Sequence, residues 1–184
     1  MKVKKKLAPG QYEVSRLQIL DLGYQPEINI KEWKLEIVGG EKPLKLSLEE
    51  LKKLGVKEYT EQFACVTSWS RLNTPWKGIP FENIIKFAKP KNWKHLIQYG
   101  KDDYSTNATR EDIEKGNVFL AFELDGKPIP RENGYVRIII PHLYGWKSSK
   151  FLYKIEFSPI DKPGYWEVRG YHNRGRVDEE ERLG

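Results

Sequence analysis

The sequence predicts an α+β fold with a mixed β-sheet core and short peripheral helices. Two observations predict it: strand patterns outnumber helical ones, and the helices fall between strands without the regular β-α-β order of a parallel sheet. The 184 residues, 39% of them hydrophobic, suffice for one domain with a sizeable core. We therefore expect residues 1–184 to form a single domain, with an irregular arm over 1–30 and a charged tail over 174–184 that frays.

The first regular elements are a strand and a short helix. Residues 32–40, EWKLEIVGG, alternate apolar and charged side chains and end in two glycines, which predicts a strand. Residues 46–55, LSLEELKKLG, predict a helix that begins with a capping box between Ser47 and Glu50.

A second helix follows the segment TPWKGIP. We expect Pro80 in its first turn, where the missing N–H costs nothing, and Ile84, Ile85 and Phe87 on its inward face. Residues 95–100, HLIQYG, then read as a strand.

The second half of the chain holds the most apolar strands. Residues 102–117 predict a polar loop that leads into a short helix capped by Thr109. Three strands are expected after it, over 118–124, 135–140 and 151–157.

Charge and composition bound the class of protein. The chain carries 32 Lys and Arg against 26 Asp and Glu, a net charge of +6, which fits a nucleic acid, an anionic membrane surface, an anionic small ligand or only a solvated surface. The N-terminal MKVKKKLAPG lacks the apolar segment of a signal peptide, and no apolar run approaches the ~18 residues of a membrane span. We therefore expect a cytoplasmic protein without a membrane span. Its many charges and single Met and Cys resemble a thermophile's composition.

Cys65 is the only cysteine, in the segment FACVTSWSR. A lone cysteine fits three roles: a small core side chain, a nucleophile or a ligand to a soft metal. Arg71 and the backbone amides of the segment would favour its thiolate. A structural zinc site needs four ligands, and His95, His142 and His172 do not lie at ligand spacing, so zinc is disfavoured.

Two further places depart from the local pattern. Arg137 lies inside the apolar segment YVRIII, where a buried guanidinium needs a carboxylate or a phosphate as partner. Residues 142–150, HLYGWKSSK, combine a glycine with two serines and two lysines, which suits either an anion cradle or a solvated turn. The residues alone leave both pairs of alternatives open.

Taken in order, these segments resemble the molybdopterin-binding core of the sulfite oxidase family, and especially its small single-domain oxidoreductases. The resemblance covers nearly the whole chain. It is carried by EWKLEIVGGEKPLKLSLEEL at 32–51, FACVTSWSR at 63–71, WKGIP at 76–80, the block at 118–157 that contains PHLYGWKSSK, and KPGYWEVRGYHN at 162–173.

The resemblance implies a molybdenum–molybdopterin cofactor, with Cys65 as the sole protein ligand to the metal. It further implies roles for residues that match the family's site. The implied catalytic residues are Cys65, Tyr144 and Arg71, and the implied cofactor-binding residues are Tyr24, Arg137, His142, Lys147, Ser148, Ser149 and Lys150. The nucleotide form of the pterin and the oligomeric state are left open.

The implied reaction is a two-electron oxo transfer on a small or sulfur-containing substrate, with electrons exchanged with a separate carrier. The chain departs from both known substrate pockets. Sulfite oxidases have arginines four and five residues after the cysteine, where this chain has Trp69 and Ser70, and the methionine-sulfoxide reductase branch has a glutamate where it has Thr67. The substrate is therefore open.

Two other classes compete with this interpretation. A non-catalytic basic module could use the six Trp, ten Tyr and 32 Lys and Arg to bind single-stranded nucleic acid, although many aromatics fall on strand positions typical of a core. A cysteine hydrolase based on Cys65 is the third alternative, and we expect no nucleic-acid partner.

Overall fold

A computed structural model describes residues 7–184 of the chain, and within them it contains eleven strands, three α-helices and three short 3-10 helices. The strands are β1 Tyr12–Glu13, β2 Lys34–Val38, β3 Leu44–Ser47, β4 Lys57–Ala64, β5 Trp69–Pro80, β6 His95–Gly100, β7 Ser105–Thr109, β8 Phe119–Leu124, β9 Lys127–Pro128, β10 Arg137–Ile139 and β11 Leu152–Ser158. The α-helices are α1 Leu48–Lys52, α2 Phe81–Ala88 and α3 Arg110–Glu114, and the 3-10 helices span Arg131–Asn133, Gly145–Lys147 and Glu167–Arg169.

The strands form two mixed sheets. In the six-stranded sheet the order is β1-β5-β8-β10, with β4 paired to β5 and β9 to β8, and only the β1–β5 pair is parallel. In the five-stranded sheet the order is β3-β2-β11-β6-β7, and only β2 and β11 are parallel. The predicted α+β class with a mixed-sheet core is confirmed.

The main core lies between these sheets and the helices. Its side chains come from both sheets, including Leu35 and Ile37 of β2 and Leu120 of β8, none of which is exposed. Burial of this kind is the dominant stabilising term in the fold. A second cluster packs Phe63, Trp69 and other aromatic side chains around the β4–β5 hairpin.

The local helix signals predicted from the sequence are confirmed. Ser47 and Glu50 form the capping box of α1, and the Thr109 hydroxyl accepts from the backbone N–H of Asp112 at the start of α3. Pro80 precedes α2 as its N-cap residue and does not lie in its first turn. Phe87 was expected to face inward, but it is 47% exposed because Phe81, Ile84 and Ala88 form the buried face.

The polar segment before α3 is a strand and not the predicted loop. Thr106 and Asn107 of β7 are buried, because their side chains find buried partners: Thr106 donates to Glu167, and Asn107 donates to Asp161 and Asn173. A polar sequence can therefore occupy an interior strand when each side chain has a hydrogen-bond partner.

The described part of the arm, from residue 7 on, and the tail are more ordered than predicted, while residues 1–6 of the predicted arm lie outside the described residues. In the arm, β1 pairs with β5, while residues 14–33 contain no strand or helix. The tail does not fray: Val177 is 1% exposed, and Tyr171 forms an isolated bridge with Leu183. Within residues 7–184 the longest helix has eight residues, and none of the helices is long and apolar enough to cross a membrane.

Candidate functional site

A cavity of about 310 Å³ opens where the arm, the β4–β5 hairpin and the segment 145–150 meet. Cys65, Arg137, Ser148 and Lys150 all line it, so the fold brings together four of the residues that the sequence singled out. The remaining lining residues are Leu17, Gln18, Leu20, Asp21, Leu22, Phe63, Val66, Thr67, Trp69, Asp102, Tyr104, Asn133, Gly145, Trp146, Trp166 and Tyr171.

Cys65 is the first residue of the four-residue loop between β4 and β5. Its backbone N–H donates to the Trp69 carbonyl over 2.8 Å, and the Thr67 hydroxyl donates to its sulfur over 3.2 Å. The residue is 8% exposed, and it faces the cavity. A sulfur that faces a cavity beside a hydroxyl donor is accessible to a ligand or substrate, which suits a metal ligand or a nucleophile.

Arg137 supplies a buried positive charge on the cavity wall. Its Nη2 donates to the Ser148 carbonyl over 2.6 Å, and its guanidinium lies 4.9 Å from the centre of the Phe63 ring. Burial lowers the pKa of Arg137 to about 10, and its Nε has no hydrogen-bond partner among residues 7–184. No carboxylate pairs with the guanidinium in this part of the chain, which favours the anion-binding alternative for Arg137.

Lys150 is the second cation of the cavity. Its ammonium donates to the carbonyls of Leu20 in the arm and of Glu132, both over 2.7 Å. Burial and, after it, the positive charge of Arg137 lower the pKa of Lys150 to about 8. The lysine therefore ties the arm to the cavity wall and leaves one N–H free for a ligand.

Asp102 and Tyr104 were not predicted from the sequence. Asp102 is 8% exposed, its Oδ1 has no partner among residues 7–184, and burial raises its pKa. The Tyr104 hydroxyl donates to the Trp146 carbonyl behind the cavity wall. Both residues lie in the turn between β6 and β7, and no local motif in the sequence signals their burial.

Close approach of the backbone shapes one side of the cavity. A Cβ on Gly145 would lie 2.7 Å from the Phe63 ring, so only glycine lets segment 145–150 pass the hairpin at this distance. Gly134, in the left-handed region at φ 96°, packs in the same way against Lys150.

The remaining sequence-predicted residues lie outside the cavity. Arg71 makes a bidentate ion pair with Asp125, with distances of 2.8 and 2.7 Å, and Tyr24 is 61% exposed in the arm. His142 contacts the buried Asp112 at 3.1 Å. None of the three is among the residues that line the cavity with Cys65.

Lys147, Ser149 and Tyr144 stand behind the cavity wall. The Lys147 ammonium is fully buried and binds Glu167 at 2.5 Å, so it points away from the cavity and into the β7 side of the protein. The backbone N–H of Ser149 donates to Gln98, and the Tyr144 ring stacks on Trp146 with centroids 5.2 Å apart. Contacts of these three with a ligand would be indirect.

The cavity fits a ligand that carries both donors and acceptors. Four of its buried polar atoms have no partner within residues 7–184: Arg137 Nε, Asp102 Oδ1 and the indole N–H groups of Trp69 and Trp146. A phosphorylated heterocycle satisfies such a set, since its phosphate accepts from cations and indoles while its ring N–H groups donate to a carboxylate. Within the same residues no three His, Cys, Asp or Glu side chains cluster as a metal site, so a metal bound at Cys65 would need its other ligands from the bound group.

Comparisons with known proteins agree with this site. The family model described as the oxidoreductase molybdopterin binding domain matches residues 22–166. The chain is 33% identical to the uncharacterized oxidoreductase YuiH of Bacillus subtilis, over 92% of this chain and 88% of that protein. It is 28% identical to the protein-methionine-sulfoxide reductase catalytic subunit MsrP of Campylobacter jejuni, over 85% of this chain but only 59% of the relative's length.

A solved structure shows the same fold. The sulfane dehydrogenase SoxCD of Paracoccus pantotrophus superposes with a TM-score of 0.68 at 19% identity, over 83% of this chain and 46% of that chain. The fold and the site thus define a molybdopterin-dependent oxidoreductase of the sulfite oxidase type. The chain belongs to the oxidoreductase molybdopterin binding domain family, which confirms the resemblance drawn from its sequence.

Proposed function

We propose that the protein catalyses a two-electron oxo transfer with a molybdenum–molybdopterin cofactor bound in this cavity. When bound, the cofactor supplies reversible two-electron exchange and accepts or releases one oxygen atom. Written as a reduction, the substrate oxide takes two electrons and two protons and leaves as the deoxygenated product and water. A separate carrier supplies the two electrons or, in the opposite direction, receives them.

The observation that carries the proposal is the pairing of Cys65 with unsatisfied buried polar atoms in one cavity. Cys65 offers a soft thiolate ligand, and a lone thiolate suits a metal whose other soft ligands come from the pterin. Arg137, Ser148 and Lys150 lie on the adjoining wall, where a phosphate would sit. Asp102, whose Oδ1 has no partner among residues 7–184, would accept from ring N–H groups of the pterin.

The substrate side of the cavity supports a small or sulfur-containing substrate. One part of the cavity wall is an apolar cluster that includes Val66, Trp146, Trp166 and Tyr171, and sulfur groups pack favourably against aromatic rings. The rings form a continuous surface, with Trp146 and Trp166 each about 5 Å from Tyr171. The relative from Campylobacter is named for reduction of a sulfoxide, which agrees with this class of substrate.

The proposal extends to the setting of the protein. We infer a single domain over residues 1–184, because the arm and the tail both contact the two-sheet body. The cytoplasmic location and the thermophile-like habitat stay predictions from the sequence.

The alternative function, a basic module that binds single-stranded nucleic acid, is disfavoured. Four of the tryptophans are at most 3% exposed and offer no surface on which bases could stack: Trp33, Trp69, Trp76 and Trp93.

The test is molybdenum retention after expression in a host that makes the cofactor. We expect about one molybdenum per chain and a charge-transfer absorption band from the thiolate and dithiolene sulfurs. In Cys65→Ala the thiolate part of this band is lost and turnover falls below about a tenth of the wild-type rate, because the protein loses its only ligand to the metal even where the dithiolene retains it. Arg71→Ala serves as the matched control, since Arg71 follows in the same hairpin but pairs with Asp125 outside the cavity. A Cys65→Ala protein that keeps molybdenum and turnover contradicts the proposal.

A further inference from the structure

The C-terminal segment runs beside the site, since Trp166 and Tyr171 at its start line the cavity. After the 3-10 helix Glu167–Arg169 it runs back along the body, where Arg176 forms a bridge with Leu143 and Leu183 one with Tyr171. The backbone N–H of His172 also donates to the carbonyl of Arg182 over 3.2 Å. Arg182 is thereby held beside the hairpin that carries Cys65.

The guanidinium of Arg182 joins two separate parts of the chain. Its Nη1 donates to the Val66 carbonyl over 2.5 Å and to the Ser68 hydroxyl over 3.0 Å, both in the Cys65 loop. Its Nη2 donates to the carbonyl of Gly10 in the arm over 3.1 Å. The same group lies 5.3 Å from the centre of the Tyr144 ring, within range of a cation–π contact.

The charge of Arg182 is directed at the loop and not at a carboxylate. Its nearest acidic group among residues 7–184 is Glu180, at 3.9 Å, the outer limit of an ion pair. The side chain is 21% exposed, so its hydrogen bonds are partly shielded from water. Charge-assisted hydrogen bonds in such a setting are stronger than neutral ones.

The Cys65 loop needs such support. Ser68 adopts a left-handed backbone with φ 74°, a conformation that costs a non-glycine residue energy and persists only when its surroundings fix it. Inside the loop the only backbone hydrogen bond is Ser68 N–H to the Cys65 carbonyl, at 3.2 Å. From outside, the arm adds two contacts, from the Gln11 amide to the Cys65 carbonyl at 3.2 Å and from the Tyr12 backbone N–H to the Ser68 carbonyl at 2.8 Å.

We infer that Arg182 is a positioning residue for Cys65, fastening the cysteine loop to the arm and so fixing where the thiolate enters the cavity. The inference rests on the proposed role of Cys65 as metal ligand. Arg182 touches neither the sulfur nor the cavity, and it acts through Val66 and Ser68, on either side of Thr67, whose hydroxyl donates to the sulfur.

Alkylation of the metal-free protein by iodoacetamide tests the inference, because Cys65 is the only thiol. In Arg182→Ala we expect Cys65 to react about tenfold faster or more at fixed pH, since loss of the hydrogen bonds raises the population of the open loop. Arg182→Lys keeps the charge without the fork and should give an intermediate rate.

The matched control is Arg174→Ala. Arg174 lies in the same segment and donates to the buried Asp112 over 2.9 and 3.1 Å, but it makes no contact with the Cys65 loop. Its loss lowers overall stability, yet the alkylation rate should stay within about threefold of the wild type. If Arg174→Ala accelerates alkylation as much as Arg182→Ala, the effect is global and the inference is wrong.

A second measurement uses the cofactor-loaded protein. We expect the thiolate-to-metal absorption band to shift in Arg182→Ala and to stay unchanged in Arg174→Ala, because only the former reorients the ligand. An unchanged band together with an unchanged alkylation rate overturns the inference. If Arg182→Ala does not fold, Arg182→Lys and Ser68→Ala are measured in its place, and an unchanged band with an unchanged alkylation rate in both overturns the inference. Retention of both molybdenum and turnover by Cys65→Ala would refute the proposed function alone, since the alkylation result requires no metal.

Discussion

Replacement of Lys147 by methionine separates a structural role for this lysine from a role in binding the cofactor. Both side chains of the Lys147–Glu167 pair are nearly inaccessible, with 0% and 1% exposure. The ammonium also donates to Asn107 at 2.7 Å and to the Asn173 carbonyl at 2.5 Å. Desolvation by burial lowers the pKa of Lys147, which is the cost that these acceptors offset.

The expected loss follows from what the substitution leaves behind. Lys147→Met strands the Glu167 carboxylate in the interior with two donors, the Thr106 hydroxyl at 2.7 Å and the Gly164 N–H at 3.1 Å. Breaking a buried pair from one side costs about 3–5 kcal/mol in the free energy of unfolding. For a chain of this size that loss lowers the melting temperature by about 6–20 °C.

Urea unfolding followed by tryptophan fluorescence measures this loss, with molybdenum per folded chain as the second readout. We expect the free energy of unfolding to fall while the chains that still fold keep their metal. The double variant Lys147→Met/Glu167→Gln should recover part of the loss, because the stranded charge is gone. The reasoning is refuted if Lys147→Met costs less than about 1 kcal/mol, or if molybdenum is lost at unchanged stability.

Two further predictions concern the cavity and its rim. The pKa of Lys150 is about 8 in the folded protein, below the ordinary lysine value that the unfolded chain retains. Between these two values the unfolded chain binds more protons than the folded protein, so the free energy of unfolding rises with pH in that window. Lys150→Met should lose this gain, and NMR of labelled lysine in the metal-free protein should show a midpoint near pH 8; a midpoint above 10 contradicts it. Arg71→Ala should cost at most about 1 kcal/mol, as the loss of a surface ion pair does, and leave the molybdenum content unchanged. A loss of metal in that variant would place Arg71 in the site.

The fold was predictable to the extent that its signals are local. The capping box at Ser47, the strand over 95–100 and the apolar strand before Asp125 each follow from a few neighbouring residues. Strand β7 could not be predicted in this way, because its polar side chains find their hydrogen-bond partners in Glu167 and Asp161, more than fifty residues away in sequence. Hydrogen-bond partners so distant in sequence do not alter the local residue pattern from which a strand is predicted.

The site shows the same division. Four residues were singled out from the sequence because their side chains depart from the local pattern, and all four line the cavity: Cys65, Arg137, Ser148 and Lys150. Lys147 was singled out for the same reason, but segment 145–147 forms a turn of 3-10 helix, in which successive side chains point in different directions. Which side chain of such a run faces the ligand is decided by the turn geometry and not by residue type.

The position of the cavity explains why both chain ends matter to the site. The six-stranded sheet supplies rigid walls through β10 and the β4–β5 hairpin, but the opening lies where strands end and loops begin. Leu17 and Leu20 of the arm close one side, and Lys150 holds that arm by a carbonyl. Arg182 of the tail holds the arm again at Gly10 and the cysteine loop with it. Such terminal segments open more readily than a core, so substitutions there should change the site before they change the melting of the sheets.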